Sequence, residues 1–282
     1  MKQDVILKAE GLSFSYEDER ERPALEGLSL EILRGERVAV MGANGSGKST
    51  FFRCCNGLLR PCAGRLLLDG QAYGYDRKSL LKLRSKVGVV FQDPDDQLFA
   101  ASVAQEISFG PMNLGLPEEE VRRRVDEVID RLEIGPFRHK PTYALSGGQK
   151  KQVAIADVLV MGPELILLDE PSAALDPRHT AIVREIINGL TEAGITAVVS
   201  THDADYALEW ADRVILFHRG RVLAQGRPEE IFRERELLDR TSLRKPAVLE
   251  LYDSLRERKI LPAGETPKTP EALQNILLTC LG

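Results

Sequence analysis

The sequence predicts an α/β protein in which a mostly parallel sheet, covered by helices on both faces, follows an antiparallel β-subdomain. Three observations lead to this fold class. Short apolar strands alternate with helical patterns over residues 38–217, an order typical of a parallel sheet. The first ~35 residues alternate between apolar and polar side chains, as strands with one wet face do. A helical stretch interrupts the strand pattern in the middle of the chain, and a helical tail ends it.

The N-terminal part is predicted to hold strands and one helix. The antiparallel strands are expected over Val5–Lys8, Leu12–Tyr16 and Leu28–Leu33. A buried strand, a helix and two further strands then follow at Val38–Met41, Lys48–Leu58, Arg65–Asp69 and Lys86–Phe91. A glycine-rich loop joins the buried strand to the helix, which makes this junction the first candidate for a binding site.

The middle of the chain, at about 95–160, is predicted to be a helical subdomain inserted in the α/β core. Its helices are expected over Ser102–Asn113 and Pro117–Leu132. One face of the second helix is apolar and carries Val121, Val125, Val128 and Leu132. The triplet Arg122–Arg124 fits either a nucleic-acid patch or a solvated face, and the acids beside it favour the solvated face.

The α/β pattern resumes after residue 160, so that residues 1–232 form the predicted main domain. Its remaining elements are expected at Leu165–Leu168, Pro177–Ala193, Thr196–Ser200, Asp203–Trp210 and in a hairpin of Val214–Phe217 and Val222–Ala224. Residues 233–282 form a predicted helical tail for dimerisation or regulation. Its helices, Pro246–Ile260 and one starting at Thr269, carry apolar faces with Val248, Leu251, Tyr252, Leu255, Leu273, Ile276 and Leu277. These faces need a neighbour, which is either the same domain or a second copy of the chain.

The composition excludes several classes of protein. With 43% hydrophobic and 29% charged residues, the 282-residue chain is neither disordered, collagen-like nor a disulfide scaffold. A net charge of −5 argues against a broad basic surface for nucleic acid. Apolar runs are too short to span a bilayer, and the N-terminus lacks a signal-peptide pattern, so membrane work is expected to go through partners. Four cysteines suggest a reducing compartment, and Cys54, Cys55 and Cys62 are predicted to be buried thiols rather than a zinc site.

The glycine-rich loop, Gly42–Ser49, matches the phosphate-binding pattern G-x-x-x-x-G-K-[ST] in full. Its glycines let the backbone curl so that several N–H groups face one anion, and the following helix adds its positive end. Lys48 is placed for the β- and γ-phosphates, and the Ser49 hydroxyl for Mg²⁺. The loop therefore predicts a phosphate-loop nucleotide hydrolase core.

Two acids close the predicted strand that begins at Leu165. Asp169 can hold the Mg²⁺ shell, while Glu170, pointing the other way as the next residue along the strand, can polarise a water aimed at the γ-phosphate. Ligands collect at such strand ends in open α/β sheets. An ordinary polar strand end is the alternative, and the complete phosphate loop makes it the weaker one.

A second anion-binding helix start is predicted at the signature segment, Leu145–Gln149. Ser146 fits an N-cap, and the glycines that follow leave backbone N–H groups free. One nucleotide does not need two such sites from one chain. The second site is therefore expected to serve the nucleotide of another copy.

Taken together, these residues resemble the ATP-binding-cassette (ABC) ATPases. The motifs occur in the order of that family: the phosphate loop through Thr50, Gln92, the signature segment, the acids Asp169 and Glu170, Ser172–Asp176, and His202. An aromatic residue, Tyr16, stands where the family stacks adenine. The match covers about 230 residues.

A finer resemblance is to the energy-coupling-factor (ECF) transporter ATPases, and within them to the cobalt/nickel uptake ATPase. It rests on Phe91–Phe99, here called the glutamine segment, on the signature segment followed by Lys150, and on the helical tail. The sequence departs from the family at Gln152, where arginine is common, and at Ser172, which is often threonine. Neither change removes a phosphate or metal ligand.

The resemblance implies ATP and Mg²⁺ as cofactors and a role for each matching residue. Tyr16 would stack adenine, and the phosphates would be held by Gly42, Asn44, Gly45, Ser46, Gly47, Lys48, Ser49 and Thr50. Mg²⁺ would be held by Ser49, Gln92 and Asp169, while Lys48, Gln92, Glu170 and His202 would carry the catalysis, with Glu170 as general base. Ser146, Gly147 and Gly148 would close over ATP bound by the other subunit.

The resemblance also implies partners and a place of work. It predicts a head-to-tail homodimer, a transmembrane coupling subunit that inserts a helix beside Gln92, a substrate-binding membrane subunit, and a position on the cytoplasmic face of the membrane. It implies no nucleic-acid partner. The predicted function is ATP-driven uptake of cobalt or nickel.

Four alternatives stay open. An ECF ATPase for vitamin uptake is the nearest, since only the membrane subunits would touch the cargo. A soluble ABC ATPase acting on DNA or ribosomes is disfavoured by the single cassette and the acidic charge, and another phosphate-loop enzyme, such as a kinase, by the signature segment. An importer with a separate substrate-binding protein is disfavoured by the glutamine segment.

Overall fold

The computed structural model describes residues 4–17, 23–262 and 264–281, and their strands form two sheets. The smaller sheet consists of β1 (Val5–Phe14), β2 (Leu25–Leu33), β4 (Ala63–Leu68) and β5 (Gln71–Ala72) in the order β2-β1-β4-β5. All its pairings are antiparallel, which confirms the N-terminal prediction. The two strands predicted between residues 5 and 16 are a single strand, because Gly11, at φ +60°, allows a bulge that keeps the chain paired with β2.

The larger sheet is parallel apart from one edge hairpin. It consists of β3 (Arg37–Met41), β6 (Val87–Val90), β7 (Leu165–Asp169), β8 (Thr196–Ser200), β9 (Arg213–His218) and β10 (Arg221–Gly226), in the order β10-β9-β3-β8-β7-β6. Only β9 and β10 pair antiparallel. Alternate residues face opposite cores, so that Leu165 and Leu167 join one cluster and Ile166 and Leu168 the other. Because both faces are covered, the strands are continuous apolar runs.

Helices cover both faces of this sheet. In chain order, the helices of the described residues are α1 (Lys48–Cys55), α2 (Arg77–Lys86), α3 (Val103–Asn113), α4 (Glu118–Arg131), α5 (Gly147–Leu159), α6 (Pro177–Glu192), α7 (Ala204–Trp210), α8 (Pro228–Ile231), α9 (Arg235–Thr241), α10 (Ala247–Glu257) and α11 (Pro270–Leu281). The sequence did not predict α2, which buries only Leu83 and so lacks a wide apolar stripe. The predicted N-cap, Ser146, is confirmed, because its hydroxyl accepts the N–H of Gln149 and α5 begins at Gly147.

The inserted helical subdomain has the predicted two faces. In α4 the buried residues are Val121, Val125 and Ile129, spaced four apart, while Val128 is only partly buried. The prediction followed a spacing of three at that point, and the 3.6-residue turn favours Ile129. On the solvent side Arg123 and Arg124 both bind Glu120, at 2.7 and 2.6 Å. The arginine triplet is thus a solvated, ion-paired face.

The tail packs on its own chain. Leu249 and Tyr252 of α10 are fully buried and belong to the same apolar cluster as Val214 and Leu216 of β9. Val248 and Tyr252 of the predicted apolar face are buried, whereas Leu251, which was predicted to share that face, is 52% exposed. Leu249, which was not predicted, meets the core in its place.

Two smaller predictions concern membranes and thiols. In the three described ranges, no helix combines the length and the apolarity that crossing a bilayer requires. Cys54 and Cys55 are buried as predicted, and burial raises the pKa of Cys54 to about 12. Cys62 is exposed instead, because it lies at the edge of β4, where its thiol faces the carbonyl of Ser13.

Candidate active site

A cavity of about 1070 Å³ opens at the carboxyl ends of β3, β7 and β8. Most of the predicted site residues line it: Tyr16, Asn44, Gly45, Ser46, Gly47, Lys48, Ser49, Thr50, Gln92, Asp169, Glu170 and His202. Gly42 lies at the base of the loop, outside the lining. Ser146, Gly147 and Gly148 do not line the cavity, so the structure separates the predicted residues into two groups.

The phosphate loop holds its shape through close backbone contacts. Gly42, at φ +143°, has no room for a side chain, because a Cβ there would lie 2.2 Å from the carbonyl oxygen of Phe217. Lys48 Nζ donates to the carbonyl oxygens of Gly42, at 2.8 Å, and Ala43, at 3.3 Å. The ammonium is thereby folded back over the loop. Burial lowers the pKa of Lys48, and the charges of Glu170 and Asp169 oppose that shift.

The two acids at the end of β7 are held by a serine from the neighbouring strand. Ser200 Oγ donates to Asp169 Oδ1 at 2.5 Å and accepts the backbone N–H of Glu170 at 2.9 Å. The prediction that Glu170 continues the strand was wrong. The strand ends at Asp169, and Glu170 has a φ of +43°, a left-handed conformation that turns its side chain into the cavity.

Glu170 and His202 face each other across the cavity. His202 Nε2 lies 3.1 Å from Glu170 Oε1 and 3.5 Å from Lys48 Nζ. Burial, together with the charge of Lys48, lowers the pKa of His202, so its imidazole is neutral at pH 7. Burial raises the pKa of Glu170, which makes its carboxylate a stronger base than an exposed one.

Two buried polar atoms of this cavity lack a hydrogen-bond partner within the described part of the chain. They are Ser46 Oγ and Glu170 Oε1, whose contact with His202 is close but not aligned as a hydrogen bond. An unpaired buried hydroxyl and carboxylate oxygen are costly unless a ligand or a water completes them. A cavity with one spare donor and one spare acceptor fits an anionic ligand together with a water.

Tyr16 stands at the outer end of the cavity. Its hydroxyl lies 3.2 Å from Thr50 Oγ1, and its ring meets the ring of Phe14 edge-on at 4.9 Å. These contacts hold the tyrosine beside the phosphate loop. The ring is thus available as a flat apolar surface for a base.

The signature segment forms the N-terminal end of α5. Ser146 Oγ accepts the N–H of Gln149 at 3.3 Å, and Gln149 Oε1 accepts the N–H of Ser146 at 3.1 Å, which completes a capping box. Nothing lies within 4 Å of a Cβ placed on the exposed Gly147. Gly148 is different, because a Cβ there would lie 2.0 Å from the ring of His179. Packing alone therefore requires glycine at position 148.

Sequence analysis assigned no role to Ser200 or Lys151. Ser200 ends the strand next to Asp169, and the rule that ligands gather at the ends of parallel strands could have found it. Lys151 is 1% exposed, and its Nζ donates to the carbonyls of Phe91 and Gln92. A charged residue inside a helix that is otherwise buried was the available signal.

No group of three or more potential metal-binding side chains of His, Cys, Asp or Glu occurs in residues 4–17, 23–262 and 264–281. The cavity instead offers hydroxyl, amide and carboxylate oxygens from Ser49, Gln92 and Asp169. Such an oxygen set, completed by phosphates and waters, is the chemistry that Mg²⁺ prefers over a cage made of protein alone.

The chain is similar in sequence to known ATP-binding proteins of transporters. The profile of the ABC transporter family matches residues 25–173. The chain is 46% identical over 257 residues to the energy-coupling factor transporter ATP-binding protein EcfA2 of Clostridium perfringens, covering 91% of this chain and 90% of that protein. It is 48% identical over 269 residues to the cobalt import ATP-binding protein CbiO of Rhodobacter capsulatus, covering 95% of each.

Solved structures agree in fold. The structure of cbiO1 from Clostridium perfringens, described as part of the transporter complex cbiONQ, superposes with a TM-score of 0.74 at 46% identity and covers 89% of this chain and all of that one. A dimeric ATP-binding cassette bound to ADP and Pi superposes with a TM-score of 0.71 at 30% identity, covering 79% of this chain and 99% of that one. The predicted fold class is confirmed.

Proposed function

The chain belongs to the ABC transporter ATP-binding family, and we propose that it is the ATP-hydrolysing subunit of an ECF-type importer that takes up cobalt. ATP binding and hydrolysis follow from membership of the family. The single observation that carries the chemistry is the cavity where Lys48, Glu170 and His202 converge.

Each of these side chains suits a step of γ-phosphate hydrolysis. Lys48, already bent over the phosphate loop, would exchange its carbonyl partners for β- and γ-phosphate oxygens and stabilise their charge. Glu170, with its free Oε1 and raised pKa, would accept a proton from the attacking water. The neutral His202, whose Nε2 lies 3.1 Å from Glu170 Oε1, would donate to the γ-phosphate.

The same cavity suits Mg²⁺ as the companion of the nucleotide. Ser49 and Asp169 would hold the ion, with Gln92 completing the set, and the ion would neutralise phosphate charge. Ser200 fixes the Asp169 carboxylate for this purpose, because it donates to Oδ1 and leaves Oδ2 free. Tyr16 would stack on the adenine ring.

The signature segment would act on the nucleotide of a second copy. It is exposed, carries free backbone N–H groups and lies outside the cavity of its own chain. A head-to-tail homodimer would bring each signature segment over the phosphate loop of the other copy. The dimeric cassette that this chain resembles supports such an arrangement.

A membrane partner would dock beside the glutamine segment. Three exposed apolar side chains lie there, on and near α3: Phe99, Phe109 and Met112, with the two rings in edge-on contact at 5.0 Å. A helix from the transmembrane subunit would cover them, and the chain would then work at the cytoplasmic face of the membrane. Cobalt as the cargo rests on the likeness to CbiO; nickel or a vitamin is the alternative.

Reconstitution tests this proposal. The chain, assembled with a transmembrane coupling subunit and a substrate-binding membrane subunit, is placed in proteoliposomes and supplied with ATP and Mg²⁺. We expect ATP-dependent uptake of labelled cobalt, and faster hydrolysis in the complex than by the isolated chain. Equal turnover with and without the membrane subunits would contradict the transport role, and uptake of a vitamin in place of cobalt would correct the cargo.

A further inference from the structure

The glutamine segment is tied to α5 through a buried lysine. Lys151 Nζ donates to the carbonyl oxygens of Phe91, at 2.9 Å, and Gln92, at 2.7 Å. The residue is 1% exposed, and a buried ammonium is costly unless such acceptors surround it. Moving the Gln92 backbone away from α5 would leave this charge without partners.

A second tie runs through Gln97, whose side-chain amide both accepts and donates hydrogen bonds. Its Oε1 accepts the N–H of Phe91 at 3.3 Å, within the glutamine segment. Its Nε2 donates to Ala154 O at 2.8 Å and to Asp157 Oδ2 at 3.1 Å, both on α5. The residues contacted on α5 are therefore Lys151, Ala154 and Asp157, three apart, so the ties follow one side of the helix.

A third tie is exposed and serves as a natural control. Lys150 Nζ lies 2.6 Å from Asp95 Oδ1, and the Asp95 side chain is 64% exposed while that of Lys150 is 17% exposed. Exposed ion pairs contribute little, since water replaces each partner readily. Lys150 and Lys151 thus bind the same segment from adjacent positions, and only one of them does so in a buried environment.

We propose that Lys151 is a positioning residue that makes the Gln92 backbone and the signature helix α5 move as one unit, with Gln97 as its second fastening. The inference rests on the proposed function. Gln92 lines the chain's own nucleotide cavity, and helix α5, whose first residues belong to the signature segment, begins one turn before Lys151. A displacement of the glutamine segment by a membrane partner is then passed directly to the surface that closes on the other copy's nucleotide.

The first arm of the test needs only the full chain. Amide hydrogen exchange is compared in wild type, Lys151→Met and Lys150→Met, with Phe91 and Gln97 as reporters because their N–H groups are hydrogen-bonded within the segment. Lys151→Met should accelerate exchange at these amides about tenfold and leave β7 unchanged, since hydrogen bonds to a charged group are lost. Lys150→Met should stay within about twofold of wild type. Equal exchange in the two variants would overturn the proposal.

The second arm uses the complex with its membrane subunits. Lys151→Met should lower kcat by about tenfold and leave KM for ATP within about twofold, because nucleotide contacts are kept and only the transmitted motion is lost. Lys150→Met should leave both constants near wild type. Unchanged kcat with accelerated exchange would overturn the transmission role while leaving the ATPase function standing.

Two further outcomes are an absence of stimulation by the membrane subunits and a Lys151→Met variant that does not fold. If the wild-type complex shows no stimulation by the membrane subunits, the proposed function fails, and the exchange arm alone decides whether Lys151 fixes the segment. If Lys151→Met does not fold, Gln97→Met takes its place, since that change removes the second fastening and retains the buried ammonium. The same acceleration is then expected at the Leu98 amide, which is bonded to the carbonyl of Pro94 within the segment, and its absence would overturn the proposal.

Discussion

The phosphate loop and the signature segment are both glycine-containing helix starts, but the fold treats them differently. Gly42 and Gly47 are pressed against neighbouring backbone, where a Cβ would lie 2.2 Å from Phe217 O and 2.5 Å from Ala24 O. The loop therefore lines a cavity completed by groups of the same chain. Gly147, in contrast, is exposed with open space before it, and its segment lines no part of that cavity.

One chain alone forms the phosphate-loop cavity, whereas its signature segment faces solvent. The phosphate loop meets Asp169, Glu170 and His202 inside the chain, so its binding site exists before any partner arrives. The signature segment has a completed capping box but nothing for its free N–H groups to bind. A site that is built but faces solvent needs a ligand delivered by another molecule.

Among the changes that test the two regions, removing Lys48 is expected to have the largest effect on ATP hydrolysis. Lys48→Ala deletes the buried ammonium that folds over the loop, and with it charge-assisted contacts to the phosphates. We expect hydrolysis in the assembled complex to fall to background. Lys86→Ala, which removes an exposed ion-paired lysine, should leave turnover unchanged. Near-wild-type hydrolysis by Lys48→Ala would contradict the site.

Glu170→Gln is expected to separate ATP binding from ATP hydrolysis in the phosphate-loop cavity. The amide keeps the shape of the side chain but cannot accept a proton, so turnover should fall by about 10²–10⁴-fold while ATP stays bound. Glu26→Gln is the matched control, because Glu26 lines the same cavity and pairs with Arg221 instead. Radiolabelled ATP retention together with phosphate release measures both properties. A variant that fails to retain ATP would make Glu170 a structural residue.

Gly147→Asp changes the signature segment and leaves the phosphate-loop cavity of the same chain intact. The position is exposed and spacious, and an acid in the first turn suits a helix, so stability should be unchanged. In the dimer its carboxylate would meet the phosphates of the other copy, and hydrolysis should fall by at least about tenfold. Mixing this variant with Lys48→Ala should restore activity above either alone, since one of the two sites is then intact. Absence of this complementation would argue against the head-to-tail dimer.

The far end of the signature helix offers a pH-dependent test. Burial raises the pKa of Asp157 from 3.8 to about 7. Between these values the folded state holds a proton that the unfolded state has lost, so the free energy of unfolding should decrease as pH rises, by at most about 4 kcal/mol. Asp157→Asn should remove this contribution. Urea unfolding at pH 5 and pH 7.5 measures it, and identical pH dependence in both proteins would refute the assignment.

The smallest expected effect concerns the tail. Because Leu249 and Tyr252 are part of the core, truncation would destabilise the chain, and a point change tests dimerisation more cleanly. If the tail holds two copies together, Leu251→Gln should weaken self-association without nucleotide by a few-fold and leave stability unchanged. Leu58→Gln, at another exposed leucine, is the control. Sedimentation equilibrium distinguishes the two, and equal association would assign the tail to its own domain alone.

Sequence reasoning went furthest where chemistry depends on neighbours along the chain. The phosphate loop, the acids at residues 169 and 170, the six strands of the larger sheet and the solvated arginine face were all predictable from short patterns. It failed at Glu170, whose left-handed φ is imposed by the contact of its N–H with Ser200, 30 residues away. It also failed at Leu251, because a helix with apolar residues on several sides does not state which side meets the core.

The sequence alone predicted the family and the parallel core, both of which are confirmed, and it named the candidate groups for binding a nucleotide, because the spacing of glycine, lysine and carboxylate residues encodes local geometry. Only the tertiary structure decided which of these groups share a cavity and which face outward. Only the tertiary structure showed that the Lys151 ammonium donates hydrogen bonds to the backbone carbonyls of Phe91 and Gln92. Such long-range contacts depend on how separate elements pack, and no local pattern in the chain specifies that arrangement.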